Sequence, residues 1–173
     1  MPRHPWNEEQ QAALNQRRAL FATRYQHITL NKRHRVNRTA CPCCGYPTLS
    51  ERGRYEICGL CFWEDDGQDD DDADTCWGGP NGDYSLTEAR LNVLLHDSMY
   101  HPDNNTTVTG PDTAEINAIK QALRDLYTRL PMQADADLPA AWKTILEQER
   151  TLRKARDKRW KALQAPSLKG TSE

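Results

Sequence analysis

Two cysteine pairs carry the chemistry that this chain displays most openly: Cys41-Pro42-Cys43-Cys44 and, thirteen residues further on, Cys58-Gly59-Leu60-Cys61. A Cys-x-x-Cys pair reaches one tetrahedral metal from a single tight turn, and two such pairs with a short segment between them supply four ligands. Pro42 stiffens the first turn, and Gly45 and Gly59 carry no Cβ where the backbone must fold its amides toward sulfur. Four thiolates fill a tetrahedral ion and leave no position open for water, so the metal is expected to be structural. We therefore read one Zn2+ per chain, with Cys41, Cys44, Cys58 and Cys61 as its ligands. Cys43 and Cys76 are left over, the first expected to point away from the metal beside Cys44, the second without a cysteine at motif spacing; both stay open as replacement ligands.

Disulfides are the competing use of these residues, and they belong to secreted proteins. Met1 to Glu9 holds charges and two prolines with no apolar run, so a reducing, cytoplasmic setting is expected. A redox Cys-x-x-Cys would need a βαβ context, which the pattern around these pairs does not offer.

The elements that must position the pairs are short. Tyr46 to Ser50 and Arg54 to Ile57 are expected to form two strands around a turn at Glu51-Arg52-Gly53, a zinc-ribbon hairpin that sets the two knuckles face to face. Ahead of them, a helix opening at Pro5 or Trp6 is predicted from Glu8 and Glu9 in its first turn. Its apolar face would use Trp6, Ala13, Leu14, Leu20, Phe21, Tyr25 and Ile28, with Arg17, Arg18 and Arg24 at the rim. The basic stretch Asn31 to Arg38 reads as a linker into the first knuckle, either solvated or touching phosphate.

After the second pair, Glu64 to Asp74 is too acidic for a strand and is expected as an exposed loop. An EF-hand reading fails on register, because Thr75 falls where the loop needs glycine and Asn81 where it needs the closing glutamate. The loop is then either a solvated surface or a partner-binding one built from Trp63, Asp65, Asp66, Asp69, Asp70, Asp71, Asp72, Asp74 and Trp77. Ser85-Leu86-Thr87-Glu88 is a capping box for a helix through about Asp97, with Leu91, Val93, Leu94 and Leu95 expected to cover the hairpin. His96 and His101 receive no role.

These motifs resemble the bacterial cysteine-rich CPCC domain family. The likeness rests on Cys41-Pro42-Cys43-Cys44-Gly45-Tyr46, Tyr55-Glu56-Ile57-Cys58, Cys61-Phe62-Trp63-Glu64-Asp65-Asp66, Gly79-Pro80-Asn81-Gly82 and Ser85 to Arg90, across residues 40–95. It implies a zinc-stabilised binding module, in some members beside toxin genes in the manner of an immunity protein, rather than a chemistry. Cys76 and the aspartate run depart from the family pattern.

Beyond residue 100 an Asn, Thr, Pro and Gly-rich connection leads to Asp112-Thr113-Ala114-Glu115, a second capping box. Ile116, Ile119, Leu123, Leu126, Tyr127 and Leu130 trace one helical stripe that stops before Pro131. A last helix, capped by Asp137, is predicted from Leu138 toward Pro166 with Trp142, Ile145, Leu146, Leu152, Trp160 and Leu163 on its apolar side, pairing antiparallel with the one before. The fold class expected is thus α+β and mainly helical, with a small cysteine-bearing hairpin between an N-terminal helix and a C-terminal helix pair. The chain divides into 1–40 (helix and basic linker), 41–100 (zinc-binding domain) and 101–173 (helices packed on it).

With 173 residues, 37 % hydrophobic and 28 % charged, the core is modest and a metal staple suits it. No apolar run is long enough to span a membrane. The net charge of -2 conceals segregation, since residues 1–40 and 150–161 are basic and 64–74 acidic. No Ser/His/Asp or Cys/His order, phosphate loop or open metal site is present, so catalysis is not expected. The leading expectation is a protein that binds and occludes a cognate toxin, its aspartates mimicking phosphate in a cationic pocket. The alternative is a nucleic-acid-binding zinc ribbon that uses the basic linker and the final helix.

Overall fold

Asn7 begins the first helix, α1 (Glu8–Leu20): its side chain accepts from Gln10 N while the Gln10 side chain accepts from Asn7 N, a reciprocal cap that satisfies two otherwise unpaired amides. The computed structural model describes residues 6–22, 25 and 28–165, so the expectations placed on Pro5, Arg24 and Pro166 lie outside the described residues. The helix stops at Phe21, well short of Ile28, and only Leu14 within it is buried.

Ile28 instead begins a two-stranded antiparallel sheet, β1 (Ile28–Asn31) and β2 (His34–Val36), with Ile28 opposite Val36 and Thr29 opposite Arg35. The basic linker expected over Asn31 to Arg38 is therefore largely a hairpin. Its period-two pattern is physical: Ile28 and Val36 turn inward, Thr29 and Arg35 outward. The Asn31 side chain accepts from Arg33 N at 2.9 Å to shape the tip.

The strands expected at Tyr46–Ser50 and Arg54–Ile57 do not form. Each knuckle pairs with its own flanks, Thr39 with Leu49 and Ile57 with Glu64, so neither flank is free to pair with the other. Tyr55 at φ 60° also breaks any extended run there.

Ser85 caps α2 (Leu86–His96) through the predicted box with Glu88, and Asp97 ends it in the left-handed region at φ 59°. The expected apolar side is corrected. Leu94 and Leu95 are 57 % and 61 % exposed, and the face turned inward carries Leu86, Ala89 and Arg90.

Thr113, rather than Asp112, caps α3 (Ala114–Arg129) by accepting from Ile116 N. After two 3-10 turns, α4 (Leu138–Gln164) runs 27 residues. Asp137 stands at its N-cap position without a side-chain capping bond. The pair is antiparallel: Tyr127 near the end of α3 meets Trp142 and Glu149, while Lys120, two turns earlier on α3, is linked through Asp112 to Arg156. Helix α4 also lies on β1. The stripe of α4 is buried only as far as Leu152, and Trp160 and Leu163 are exposed.

The architecture is therefore mainly helical with one small antiparallel sheet beside the cysteines, as the sequence predicts in class although not in strand placement. One hydrophobic cluster joins Phe21, Tyr25 and Val36 to the cysteine knuckles, to Leu86 and Ala89, and to Leu123, Tyr127, Trp142 and Leu152. Among the described residues no helix is long and apolar enough to cross a membrane.

Candidate metal centre

The two knuckles are built alike. Gly45 N donates to Cys41 O and Phe62 N to Cys58 O, both at 2.9 Å, closing each Cys-x-x-Cys turn. Cys41 N donates to Tyr46 O and Cys58 N to Trp63 O, again at 2.9 Å each. The residue after the second cysteine of each pair sits at positive φ: Gly45 at 78° and Phe62 at 71°. Glycine suits the first because φ there is left-handed and a Cβ would press on Leu14 Cδ1 at 2.9 Å and Arg17 Cδ at 3.2 Å. The counterpart in the second knuckle is Phe62, not Gly59 as expected. Phe62 accepts a strained conformation worth about 1–2 kcal/mol, and its ring is held beneath the Arg156 guanidinium, 4.1 Å from the centroid, and against Tyr100.

This duplication brings Cys41, Cys44, Cys58 and Cys61 together, all buried, with their sulfurs within 4.8 Å of one another. Cys41 and Cys61 sulfurs are 3.7 Å apart and Cys44 and Cys58 sulfurs 3.6 Å. A tetrahedron with metal–sulfur bonds of about 2.3 Å has edges of about 3.8 Å, whereas a disulfide needs sulfurs about 2.05 Å apart. The spacing fits a metal and not a bond between sulfurs. Without a cation, burial pushes the Cys41 and Cys61 thiols well above the ordinary range. Burial acts on Cys58 too, but hydrogen bonds from Cys41, Cys44, Cys61 and Thr48 outweigh it and draw this thiol well below that range. A divalent cation held by these sulfurs would favour the deprotonated form of its ligands.

Four thiolates on a dication would leave two formal negative charges in the core, and three arginines donate to the backbone of the knuckles. Arg17 Nη1 donates to Cys44 O at 2.9 Å, Arg90 Nε and Nη2 to Pro42 O at 3.1 and 3.0 Å, and Arg156 Nη1 to Gly59 O at 2.6 Å. Helices α1, α2 and α4 thus each place a guanidinium on a knuckle carbonyl. Sequence reasoning assigned none of them; the available signal was Arg90 at a position whose neighbours Leu86 and Ala89 point inward.

Cys43 is buried but lies outside the four-sulfur group, and burial raises its thiol. Cys76 is exposed, its sulfur 3.5 Å from Gly82 O. Cys43→Ser and Cys76→Ser are therefore each expected to bind as much metal per chain as the parent protein. Elemental analysis showing a loss of metal in either would mean that the ligand set is different.

The acidic loop is a folded structure rather than a solvated run. Asp65 is buried and accepts from Arg52 Nε at 2.9 Å and Gly53 N at 2.6 Å, so it builds a turn and does not face a partner. Trp63 is likewise wholly buried and belongs to the core. Asp69 accepts from Arg18 at 2.9 Å and Arg52 at 2.7 Å; burial alone would raise its carboxyl, but these two cations hold it far below the usual carboxylate range. Asp70 accepts from Arg90 Nη2 at 2.6 Å and from Gln11 Nε2 at 3.2 Å. Asp66, Asp72 and Asp74 take hydrogen bonds from Asn81 and Gln68 N, from Asp69 N, and from Thr87 respectively. Of the residues predicted for a partner surface, Asp70, Asp71, Asp74 and Trp77 remain exposed, Asp70 while paired with Arg18 and Arg90.

The fold and the site define a cysteine-rich domain whose four clustered sulfurs could hold a metal ion. Residues 39–115 match the family described as Cysteine-rich CPCC. No curated protein and no solved structure matches the chain.

Proposed function

We infer that this protein is a zinc-stapled module that binds another protein and performs no catalysis, in the manner of a bacterial immunity protein occluding a cognate toxin. Zinc is the ion that four thiolates at tetrahedral spacing favour, being borderline-soft and indifferent to redox. Because all four sulfurs are buried and the tetrahedron is complete, the ion has no position to offer a substrate.

The observation that carries the binding reading is Trp77. It is 51 % exposed, between the acidic loop and the rigid Gly78-Gly79-Pro80-Asn81 turn, where the Asn81 side chain accepts from Glu64 N and donates to Glu64 O. A large amphipathic ring on a fixed backbone, with exposed Asp71, Asp74 and Asp83 around it in the chain, has the makings of an interface anchor with an acidic rim. The internally paired Asp69 and Asp70 hold the loop in shape, and the exposed acids are left to steer a cationic partner.

The test is co-expression with the product of an adjacent toxin-like reading frame. Wild type should rescue growth and form a complex, and Trp77→Ala should weaken that complex roughly 30-fold or more, as truncation of an interface anchor does. Asp71→Asn with Asp74→Asn should slow association and leave metal content unchanged. Rescue and affinity untouched by both variants would remove this surface from the function.

A further inference from the structure

The ion pairs invert the electrostatic picture that composition suggests. The acidic loop is tied to Arg18, Arg52 and Arg90, and Glu149 to Arg38, so much of the negative charge is spent inside the molecule. The cations of the hairpin tip and the outer side of α4 are not. Lys143, Arg150, Lys154 and Lys161 are exposed, and no ion pair or hydrogen bond holds their side chains among the described residues.

Their spacing of seven, four and seven residues puts these four on one side of α4, a line about 27 Å long at 1.5 Å per residue. Glu147 and Asp157 stand on the same outer surface, leaving four cations against two carboxylates. Leu146, between Lys143 and Arg150, lines a groove of about 500 Å³ whose other wall is the hairpin, with Arg35 at the rim. Within the groove Glu56 accepts from Ser50 N and Oγ at 2.7 and 2.6 Å and keeps its negative charge, Arg38 is held by Glu149, and the unpaired positive charge at the mouth belongs to Arg35 and the helix.

We propose that this groove and the line of cations along α4 bind the phosphodiester backbone of nucleic acid. The occupant follows from the shape of the charge. A compact acidic protein patch matches a compact basic one, whereas a narrow line of exposed, unpaired Lys and Arg suits a chain bearing a charge at every repeat. The acidic loop does not compete for these cations, because its guanidinium partners come from α1, α2 and Arg52 instead. This surface is separate from Trp77 and stands or falls without the protein-binding reading.

Fluorescence anisotropy with a labelled single-stranded oligonucleotide and with a duplex, across salt concentrations, tests it. Wild type should bind at 50 mM salt and weaken steeply as salt rises. The triple variant Lys143→Gln, Arg150→Gln, Lys154→Gln should bind on the order of 100-fold more weakly there, with a salt slope shallower by about 2 for a single strand, since each lost phosphate contact removes about 0.7. Arg35→Gln should cost several-fold through the hairpin wall. Unchanged metal content and melting temperature would show that these variants fold. The proposal is overturned if wild type does not bind either nucleic acid at 50 mM salt, or if the triple variant or Arg35→Gln binds as well as wild type. Poly-glutamate of equal charge competing as well as the oligonucleotide would also overturn it and make an acidic protein the occupant.

Discussion

Removal of the metal is expected to collapse the centre of this protein rather than trim its surface. Freshly purified protein should contain one zinc per chain, and strong chelation should expose Trp63, which is wholly buried just after Cys61. The magnitude follows from what the tetrad supports. Structural zinc contributes on the order of 10 kcal/mol or more of apparent folding free energy, while a domain is stable by only about 5–15 kcal/mol in total. Leu49, Leu60 and Trp63 share the cluster with the cysteines, so the core cannot keep its packing once the knuckles open. The measurements are metal analysis, tryptophan emission and thermal melting before and after chelation. Cys58→Ser should reproduce the chelated state. Metal-free protein with Cys41–Cys61 or Cys44–Cys58 disulfides on mass spectrometry would sink the assignment.

Asp112→Ala should be the most damaging substitution away from the cysteines. Asp112 Oδ2 receives Lys120 Nζ at 3.0 Å and Arg156 Nη2 at 3.2 Å, and the Lys120 side chain is 0 % exposed. Lys120 also donates to the Asp97 carbonyl at the end of α2. Truncating the aspartate strands a buried ammonium, a loss of about 3–5 kcal/mol. Lys120→Met should cost less, because Asp112 keeps Arg156 as its counterion.

The pH dependence has a definite sign. Burial alone would raise the Asp112 carboxyl, but Arg156 and Lys120 outweigh it and hold the carboxyl below its ordinary value. The unfolded chain, titrating near 3.9, then binds the proton first, so this stability is present above that pH and is lost as pH falls through the lower folded value. Acid releases metal from wild type and Asp112→Asn alike, so the informative quantity is the difference between their melting temperatures. That difference should shrink on acidification through this range; a difference independent of pH would contradict the pairing.

What could be read from the sequence was what is decided locally. The four ligand cysteines, the Ser85 to Glu88 cap and the stripe of α3 each follow from residues within a turn or two of one another. Strand-like residues and a turn between the cysteine pairs suggest a hairpin there, but knuckle closure commits their backbone to each flank instead. Meanwhile Ile28 to Val36 alternated with a period of two behind a basic composition that reads as linker. The acidic loop was illegible for a different reason. Its shape depends on Arg18, Arg52 and Arg90, which lie 51, 17 and 20 residues from their aspartate partners, and no local pattern announces such pairs. Arg90 itself was hidden by the assumption that α2 buries its leucines, when it buries a guanidinium between Pro42 O and Asp70.

The three arginines on the knuckle carbonyls also set an order of events during synthesis. Arg17 is made before either cysteine pair and Arg90 soon after both, but Arg156 lies 97 residues beyond the Gly59 carbonyl it grasps. A nascent chain therefore presents a complete ligand set while α3 and α4 are still unmade. Metal capture is then expected to come early, as a local event, and the closure of α4 over Phe62 last, as a long-range contact.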